Sequence, residues 1–149
     1  MTEVTVADKK LVYTVTIPIR WGDMDAMGHV NNTIYFRYME QARIEWLQMM
    51  GCLPDDNGNG PVIVNAHCTF KKPLKYPDQV EVCTYIGAAG RSSFETVQEM
   101  RSVSDGYVLY AEGGAKVVWV SPVTEKSVPL PDPIKQKLNE MKQSKRKKN

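Results

Sequence analysis

The feature that most constrains the fold is one long amphipathic segment, residues 32–50, in an otherwise strand-rich sequence. Its apolar side chains recur at the spacing of a single helix face. These side chains are Tyr35, Tyr38, Met39, Ala42, Trp46, Met49 and Met50. Asn31 or Asn32 can cap the start of the helix, and Gly51 can end it. The sequence therefore predicts a helix about 28 Å long, enough to cross a small sheet.

Segments with the composition or alternation of β-strands precede and follow this helix. They are residues 11–20, 61–73, 79–87, 92–103 and 107–122. Short turns join the later segments, and Asp105 with Gly106 is the strongest turn signal, so neighbouring strands should be antiparallel. Gly113 and Gly114 indicate a bulge or the close approach of another backbone. A short C-terminal helix is expected to begin at Asp132.

This order of segments predicts an α+β fold in which the long helix packs on one curved antiparallel sheet of about five strands. Residues 1–149 should form one domain, with a loose N-terminus at 1–10 and a basic disordered tail at 142–149. A sheet of this kind has open edges. Pairing of edges between subunits would close them, so a homodimer is expected.

Composition excludes several classes of protein. The three cysteines have wide, irregular spacing, which argues against disulfides and against a metal site. There is no apolar run long enough for a membrane helix and no secretory signal, so we expect a cytoplasmic protein without a membrane span. The net charge of +2 comes from the tail, because without its five basic residues 14 basic residues face 17 acidic ones. We therefore expect no nucleic-acid partner, and deleting residues 142–149 would test for one.

The segment between the first strand and the helix carries the residues suited to chemistry. It contains Asp23, Asp25 and His29 just ahead of the predicted helix start. A carboxylate there can act as base or nucleophile, and the unpaired N–H groups of the first helical turn can hold a negative oxygen. No serine-hydrolase elbow, phosphate-binding loop or metal-ligand cluster is present, which fits chemistry carried out without a cofactor.

A longer motif links this loop to the helix. It reads Asp23-x-Asp25-x-x-Gly28-His29-Val30-Asn31-Asn32-x-x-Tyr35, followed by Glu40-x-Ala42-Arg43. The motif resembles the 4-hydroxybenzoyl-CoA thioesterase-like branch of the hotdog-fold acyl-CoA thioesterases. The resemblance implies a hotdog fold, hydrolysis of an acyl-CoA to a free acid and coenzyme A, and dimers, often paired into tetramers, with active sites between subunits.

The resemblance also implies roles for individual residues. Asp25 would be the catalytic carboxylate, as nucleophile or as base, and the backbone N–H of Asn32 would polarise the thioester carbonyl. His29 would support the loop. For coenzyme A binding, the resemblance points to the turn at Arg91, where a basic cluster of the family is thinned to one arginine. The further candidates for this binding are Ser92, Ser93 and, more weakly, Lys71.

Other readings stay open on the sequence alone. A hydratase or dehydratase of acyl-CoA could use His29 with an aspartate, and a non-catalytic protein could only bind acyl-CoA. Glu40 is a candidate base in another branch of the fold, but it lies about 12 Å along the helix from Asn32. The acyl group, and coenzyme A as against an acyl-carrier protein, are left undetermined.

Overall fold

The computed structural model describes residues 9–147, with side chains described for residues 9–140. Within this range the chain forms five strands and two helices of more than one turn. In chain order they are β1 (Lys10–Pro18), α1 (Asn32–Met49), β2 (Gly60–Phe70), β3 (Gln79–Ala89), β4 (Ser93–Ser102), β5 (Val108–Val120) and α2 (Asp132–Lys147). A single turn of 3-10 helix at Trp21–Asp23, which the sequence did not predict, lies between β1 and α1.

The strands form one antiparallel sheet in the order β1-β3-β4-β5-β2. Tight turns connect β3, β4 and β5 as neighbours, and β2 pairs with the far side of β5. β1 is the opposite edge, a position that tolerates Pro18 because proline has no N–H to donate to a neighbouring strand. With α1 packed on one face of this sheet, the predicted α+β hotdog fold is confirmed.

The buried face of α1 divides the core into two clusters. Near its start, Tyr35, Tyr38 and Met39 pack against β3, β4 and the loop that connects β1 to α1. Near its end, Trp46 and Leu47 pack against Trp119 and the C-terminal helix. Met49, which the periodicity assigned to the buried face, is the last helical residue and is 62% exposed, so the buried face ends at Leu47.

The glycine pair in β5 lies where neighbouring backbones approach closely. A Cβ on Gly113 would lie 2.2 Å from the carbonyl oxygen of His67, and one on Gly114 would lie 2.5 Å from that of Thr96. The sheet register is continuous through both glycines, whereas the register shifts of β5 and β2 lie elsewhere. Close approach, rather than a bulge, therefore explains the pair.

Both ends of the chain are more regular than expected where the structure describes them. α2 continues to Lys147, so residues 142–147 of the predicted tail lie within this helix. These positions hold lysine, glutamine, serine and arginine without glycine or proline, and most of these residues favour helix. Lys10 belongs to β1, so the loose N-terminus does not include it. Residues 1–8 and 148–149 of the two predicted segments lie outside the described residues.

None of the helices in the described part of the chain is long and apolar enough to cross a membrane.

Candidate active site

The loop ahead of α1 is a narrow hairpin. Met24 and Val30 form an antiparallel bridge, and inside it the N–H of Asp25 donates to the carbonyl of His29 at 2.8 Å. The N–H of Gly28 donates back to the carbonyl of Asp25 at 3.0 Å. Gly28 has φ of +77°, which only glycine adopts without strain. Asp25 and His29 are therefore held on opposite arms of one tight turn.

Asp23 anchors this hairpin to the helix. Its side chain is 7% exposed, and its Oδ2 accepts hydrogen bonds from the Tyr38 hydroxyl at 2.7 Å and from the Arg20 N–H at 3.0 Å. Its carbonyl accepts the N–H of Asn31 at 2.9 Å. Burial alone would raise the pKa of Asp23, but these hydrogen bonds and the Arg20 charge lower it overall. Asp23 thus shapes the loop that carries Asp25.

Asp25 has a different environment. Its side chain is exposed in the single chain, and its Oδ1 accepts the N–H of Met27 at 2.9 Å. No other hydrogen bond and no ion pair engages this carboxylate among residues 9–140, whose side chains the structure describes. The turn therefore fixes one oxygen by a single bond and leaves the carboxylate able to meet a substrate or a water.

The start of α1 supplies the hydrogen-bond donor. Asn31 is the N-cap, and its Oδ1 accepts the N–H of Thr33 at 2.9 Å. The carbonyl of Asn31 accepts the N–H of Ile34 at 2.9 Å. The N–H of Asn32, the first helical residue, has no acceptor among the described residues. This donor lies at the positive end of the helix dipole, where a developing oxyanion is stabilised.

A cleft of about 290 Å³ brings the predicted catalytic residues together. Asp25, His29 and Asn32 all line it. The other lining residues are Val30, Tyr35, Phe70, Lys71, Lys72 and Pro73. The cleft lining thus includes a carboxylate, an imidazole and a helical N–H without an acceptor. A reaction in which a nucleophile attacks a carbonyl carbon can use these groups.

The floor of the cleft was not predicted as part of the site. The Tyr35 hydroxyl accepts the N–H of Leu74 at 2.9 Å, and the Tyr35 ring meets Phe70 edge to face at 4.9 Å. These contacts hold the segment after β2 against α1. Tyr35 belongs to the motif, so the sequence could have pointed to it. Phe70 and Pro73 lie at and just after the end of β2, and only folding of the sheet brings them near the start of α1.

The turn expected to bind coenzyme A lies elsewhere in the same chain. Arg91, Ser92 and Ser93 are at the start of β4, where Ser93 pairs with Val118. The cleft is at the other end of the sheet, where Phe70 pairs with Ala111. The seven residue-to-residue steps from Ala111 to Val118 span about 23 Å of strand. Within one chain, therefore, the structure brings Lys71 to the cleft but not Arg91, Ser92 or Ser93.

The cleft lining does not include Glu40 or the side chains of His67 and Cys68. Glu40 pairs with Arg37 at 3.4 Å on the exposed side of α1. His67 lies over Gly114 in β5, on the sheet face opposite α1. Burial raises the pKa of the half-buried Cys68 to about 11, which disfavours the reactive thiolate. Among the described residues, no group of three or more histidine, cysteine and acidic side chains suits a metal ion.

Comparison with known proteins is consistent with this geometry. A model of the Thioesterase-like superfamily matches residues 19–138. An Aquifex aeolicus protein assigned as an esterase is 38% identical over 79 residues, which cover 51% of this chain and 62% of that protein. The match therefore spans less than two thirds of that relative's length.

Solved structures resemble the chain over most of its length. The PA2801 protein of Pseudomonas aeruginosa, assigned as a thioesterase, is 40% identical with a TM-score of 0.82, over 87% of this chain and 99% of that chain. A Xanthomonas campestris protein assigned as an acyl-CoA thioesterase is 33% identical with a TM-score of 0.70, over 81% of this chain and 100% of that chain.

Proposed function

Because the chain belongs to the thioesterase-like superfamily, we propose that it hydrolyses an acyl-CoA thioester to a free carboxylic acid and coenzyme A. The observation that carries this proposal is the shared cleft, which is lined by both Asp25 and Asn32, the residue whose N–H has no acceptor among the described residues. A thioester carbonyl needs a nucleophile on one side and a fixed donor for its oxygen, and these two groups supply them.

The reaction follows from the positions of these groups. The carbonyl oxygen of the thioester accepts the N–H of Asn32, and negative charge that develops on it is stabilised by the helix dipole. Asp25 then either attacks the carbonyl carbon, giving a mixed anhydride that water hydrolyses, or takes a proton from an attacking water. In both routes the C–S bond breaks, and coenzyme A leaves as a thiolate that is protonated. His29 supports the loop from the opposite arm of the hairpin.

The choice of coenzyme A as carrier is supported by the Xanthomonas campestris relative, which is assigned to acyl-CoA substrates. The identity of the acyl group is left open, and an acyl-carrier-protein thioester is the alternative carrier. We expect no metal and no cofactor beyond the coenzyme A of the substrate. We also place the protein in the cytoplasm, a proposal that the three free cysteines support.

We further propose that two copies pair through β2 to form a homodimer. β2 is an edge strand whose apolar side chains are unusually exposed: Val62 by 44%, Val64 by 54% and Phe70 by 44%. A long, apolar, unpaired edge is a template for another strand. A tetramer built from two such dimers extends the same proposal.

Antiparallel pairing of β2 about its centre would also complete the site. It would place the first residues of β2 of one subunit beside Phe70 of the other. The turn at Arg91 of the partner subunit would then lie three strand spacings, about 14 Å, from the cleft. Arg91, Ser92 and Ser93 could therefore reach coenzyme A from the partner subunit, although they are remote within one chain.

The direct test measures coenzyme A release by the purified protein from short, long and aromatic acyl-CoAs, with Asp25→Asn beside it. We expect at least one class to be hydrolysed and Asp25→Asn to lower kcat by about 10²- to 10⁴-fold, because the substitution removes the base or nucleophile. Asp56→Asn, at an exposed aspartate of another loop, is the matched control. Equal rates for Asp25→Asn and wild type would remove Asp25 from the mechanism. Tight binding of acyl-CoA without turnover would indicate a binding protein.

A second candidate function is supported by the place of His29 in the cleft beside Asp25. These two residues could catalyse hydration of an enoyl-CoA by acid–base chemistry. Assay of enoyl-CoA hydration with His29→Ala distinguishes the two functions. Loss of hydration while thioester cleavage continues would favour the hydratase, and absence of hydration in wild type would exclude it.

A further inference from the structure

The hydroxyl of Tyr35 uses only part of its hydrogen-bonding capacity within the chain. The side chain is 2% exposed and lines the same cleft as Asp25 and Asn32. Its oxygen accepts the N–H of Leu74 at 2.9 Å. Its own hydrogen has no acceptor among residues 9–140, whose side chains the structure describes. Because a buried donor without an acceptor is costly, we expect this hydrogen to find its acceptor in the cleft.

Tyr38, one helical turn further along α1, has the opposite arrangement. Its hydroxyl donates to Oδ2 of Asp23 at 2.7 Å, so its hydrogen is already bound to a carboxylate. Tyr38 is not one of the residues that line the cleft. The two buried tyrosines therefore serve different purposes. Tyr38 fastens the hairpin to the helix, whereas the hydroxyl of Tyr35 is able to donate to a molecule in the cleft.

The hydroxyl of Tyr35 lies beside the hairpin that carries Asp25. Leu74 connects the two, because its N–H donates to Tyr35 and its carbonyl accepts the N–H of Val30 at 2.8 Å. Burial raises the pKa of Tyr35, the hydrogen bond from Leu74 opposes this rise, and the charge of Asp25 adds to it. The hydroxyl therefore keeps its hydrogen at neutral pH and lies close enough to Asp25 to interact with its charge.

A water molecule is the acceptor that suits both groups. Oδ1 of Asp25 is held by the N–H of Met27, and Oδ2 has no hydrogen bond among the described side chains. A water that accepts the O–H of Tyr35 can donate one hydrogen to Oδ2, and its second lone pair remains free. A thioester whose oxygen accepts the N–H of Asn32 would present its carbonyl carbon to this lone pair.

We propose that Tyr35 is a further catalytic residue, whose hydroxyl holds the hydrolytic water against Asp25. The inference rests on the proposed function and selects its general-base route. The water oxygen forms a bond to the thioester carbon while one water proton passes to Asp25. The C–S bond then breaks, and the leaving thiolate takes that proton from Asp25. The hydroxyl of Tyr35 donates its hydrogen bond throughout and keeps its own proton.

Tyr35→Phe is the first test, because it removes the hydroxyl and keeps the ring that packs against Phe70. We expect kcat for acyl-CoA hydrolysis to fall about 10- to 100-fold, because the water is no longer held in position. KM should change little, since the groups that meet the substrate remain. Urea unfolding of the same variant measures how much the loss of the Leu74 hydrogen bond affects the fold.

Hydroxylamine as a competing nucleophile gives a more specific measurement. It converts the acyl group to a hydroxamate, and the ratio of hydroxamate to free acid is measured after subtraction of the reaction without enzyme. In Tyr35→Phe this ratio should rise by about the factor by which hydrolysis falls, because a strong nucleophile depends less on being held. Tyr38→Phe is the matched control, and its ratio should equal that of wild type.

A fluorinated tyrosine at position 35 tests the role without removing the hydroxyl, and it serves also if Tyr35→Phe folds poorly. Fluorination lowers the pKa of the phenol, and a phenolate has no hydrogen to donate. The fall of kcat at alkaline pH should therefore shift to lower pH. The same replacement at Tyr38 should leave this limb of the pH profile in place.

Two results would overturn the inference and leave the proposed function intact. The first is a Tyr35→Phe variant with the kcat and product ratio of wild type. The second is an equal rise of the product ratio in Tyr35→Phe and Tyr38→Phe, which would show that the effect comes from loosening of the hairpin. Absence of thioester hydrolysis in wild type would overturn both proposals.

Discussion

Asp25 and Asp55 each begin a turn with the same hydrogen bonds. In both, the aspartate N–H donates to the carbonyl four residues later, and the N–H of a glycine three residues later donates back. Both glycines, Gly28 and Gly58, have φ of +77°. In both, Oδ1 also accepts the N–H of the second residue after the aspartate.

The two carboxylates differ in what else they bind. Asp55 accepts a further N–H from Asn59 at 2.8 Å, and its Oδ2 accepts the indole N–H of Trp119 at 2.9 Å. Asp25 has none of these additional partners among the described residues. One turn geometry therefore serves two purposes: at Asp55 the carboxylate ties the loop to the core, and at Asp25 it stays available beside a helix start.

The largest expected effect is on kcat, and it distinguishes the turn at Asp25 from the turn at Asp55. Asp25→Ala should lower kcat by about 10²- to 10⁴-fold, because the reacting carboxylate is lost. Asp55→Ala should leave kcat near wild type but lower the free energy of unfolding by about 1–3 kcal/mol, because the Trp119 indole loses its acceptor. Steady-state kinetics and urea unfolding of both variants check this. Similar effects of the two substitutions on kcat would contradict the comparison.

Asp23→Ala should combine both effects, which sharpens the contrast. It leaves the Tyr38 hydroxyl and the Arg20 N–H without their acceptor, and we expect a loss of about 1–3 kcal/mol in unfolding free energy. Since Asp23 also anchors the hairpin that carries Asp25, kcat should fall as well. Tyr38→Phe is the control, because it removes one of the two bonds and leaves the carboxylate. A drop in stability with kcat unchanged would show that the hairpin keeps its shape without this anchor.

Asn31→Ala should have a smaller effect on kcat, because it perturbs the N–H donor at Asn32 and leaves the Asp25 carboxylate in place. Loss of an N-cap destabilises a helix by about 0.5–2 kcal/mol. The N–H of Asn32 would remain but would be less well fixed, so kcat should fall more than KM changes. Asn31→Asp, which retains a capping oxygen, should restore both stability and kcat. If Asn31→Asp is as impaired as Asn31→Ala, capping is not the role of this side chain.

The smallest expected effect is on the pH dependence of stability. The pKa of Asp23 is lowered in the folded protein, so its ionised form contributes stability at pH values above the ordinary aspartate pKa. That contribution is lost as the pH falls through the folded pKa. The difference in unfolding free energy between wild type and Asp23→Asn should therefore be largest at neutral pH and shrink below about pH 4. Urea unfolding at several pH values measures it, and a constant difference would contradict it.

Local sequence signals were enough for the helix and the loop. The periodicity of residues 32–50, the cap at Asn31 and the short turns predicted α1 and the antiparallel order, and the motif pointed to Asp25 and Asn32. These features depend on near neighbours in the chain. The comparison of the two turns shows the limit of such signals, since both aspartates stand three residues before a glycine. Only the contacts of Asp55 with Asn59 and Trp119 tell them apart.

The walls of the clefts depend on distant parts of the chain. Phe70 and Pro73 meet α1 because β2 returns to the far side of β5, which no local pattern specifies. The separation of Arg91 from Asp25 has the same origin. Another cleft, lined in part by Lys75 and Ser104, forms where two segments converge that lie far apart in the sequence.

The crowding at Gly113 and Gly114 has a consequence for how this chain can vary. Any side chain at either position would collide with main-chain carbonyls rather than with movable groups, so no compensating substitution nearby can make room. In a saturation-mutagenesis library selected for folded protein alone, both positions should tolerate glycine only. The exposed residues of the active-site cleft, such as Asp25 and Asn32, should vary freely in that library and become restricted only when turnover is selected.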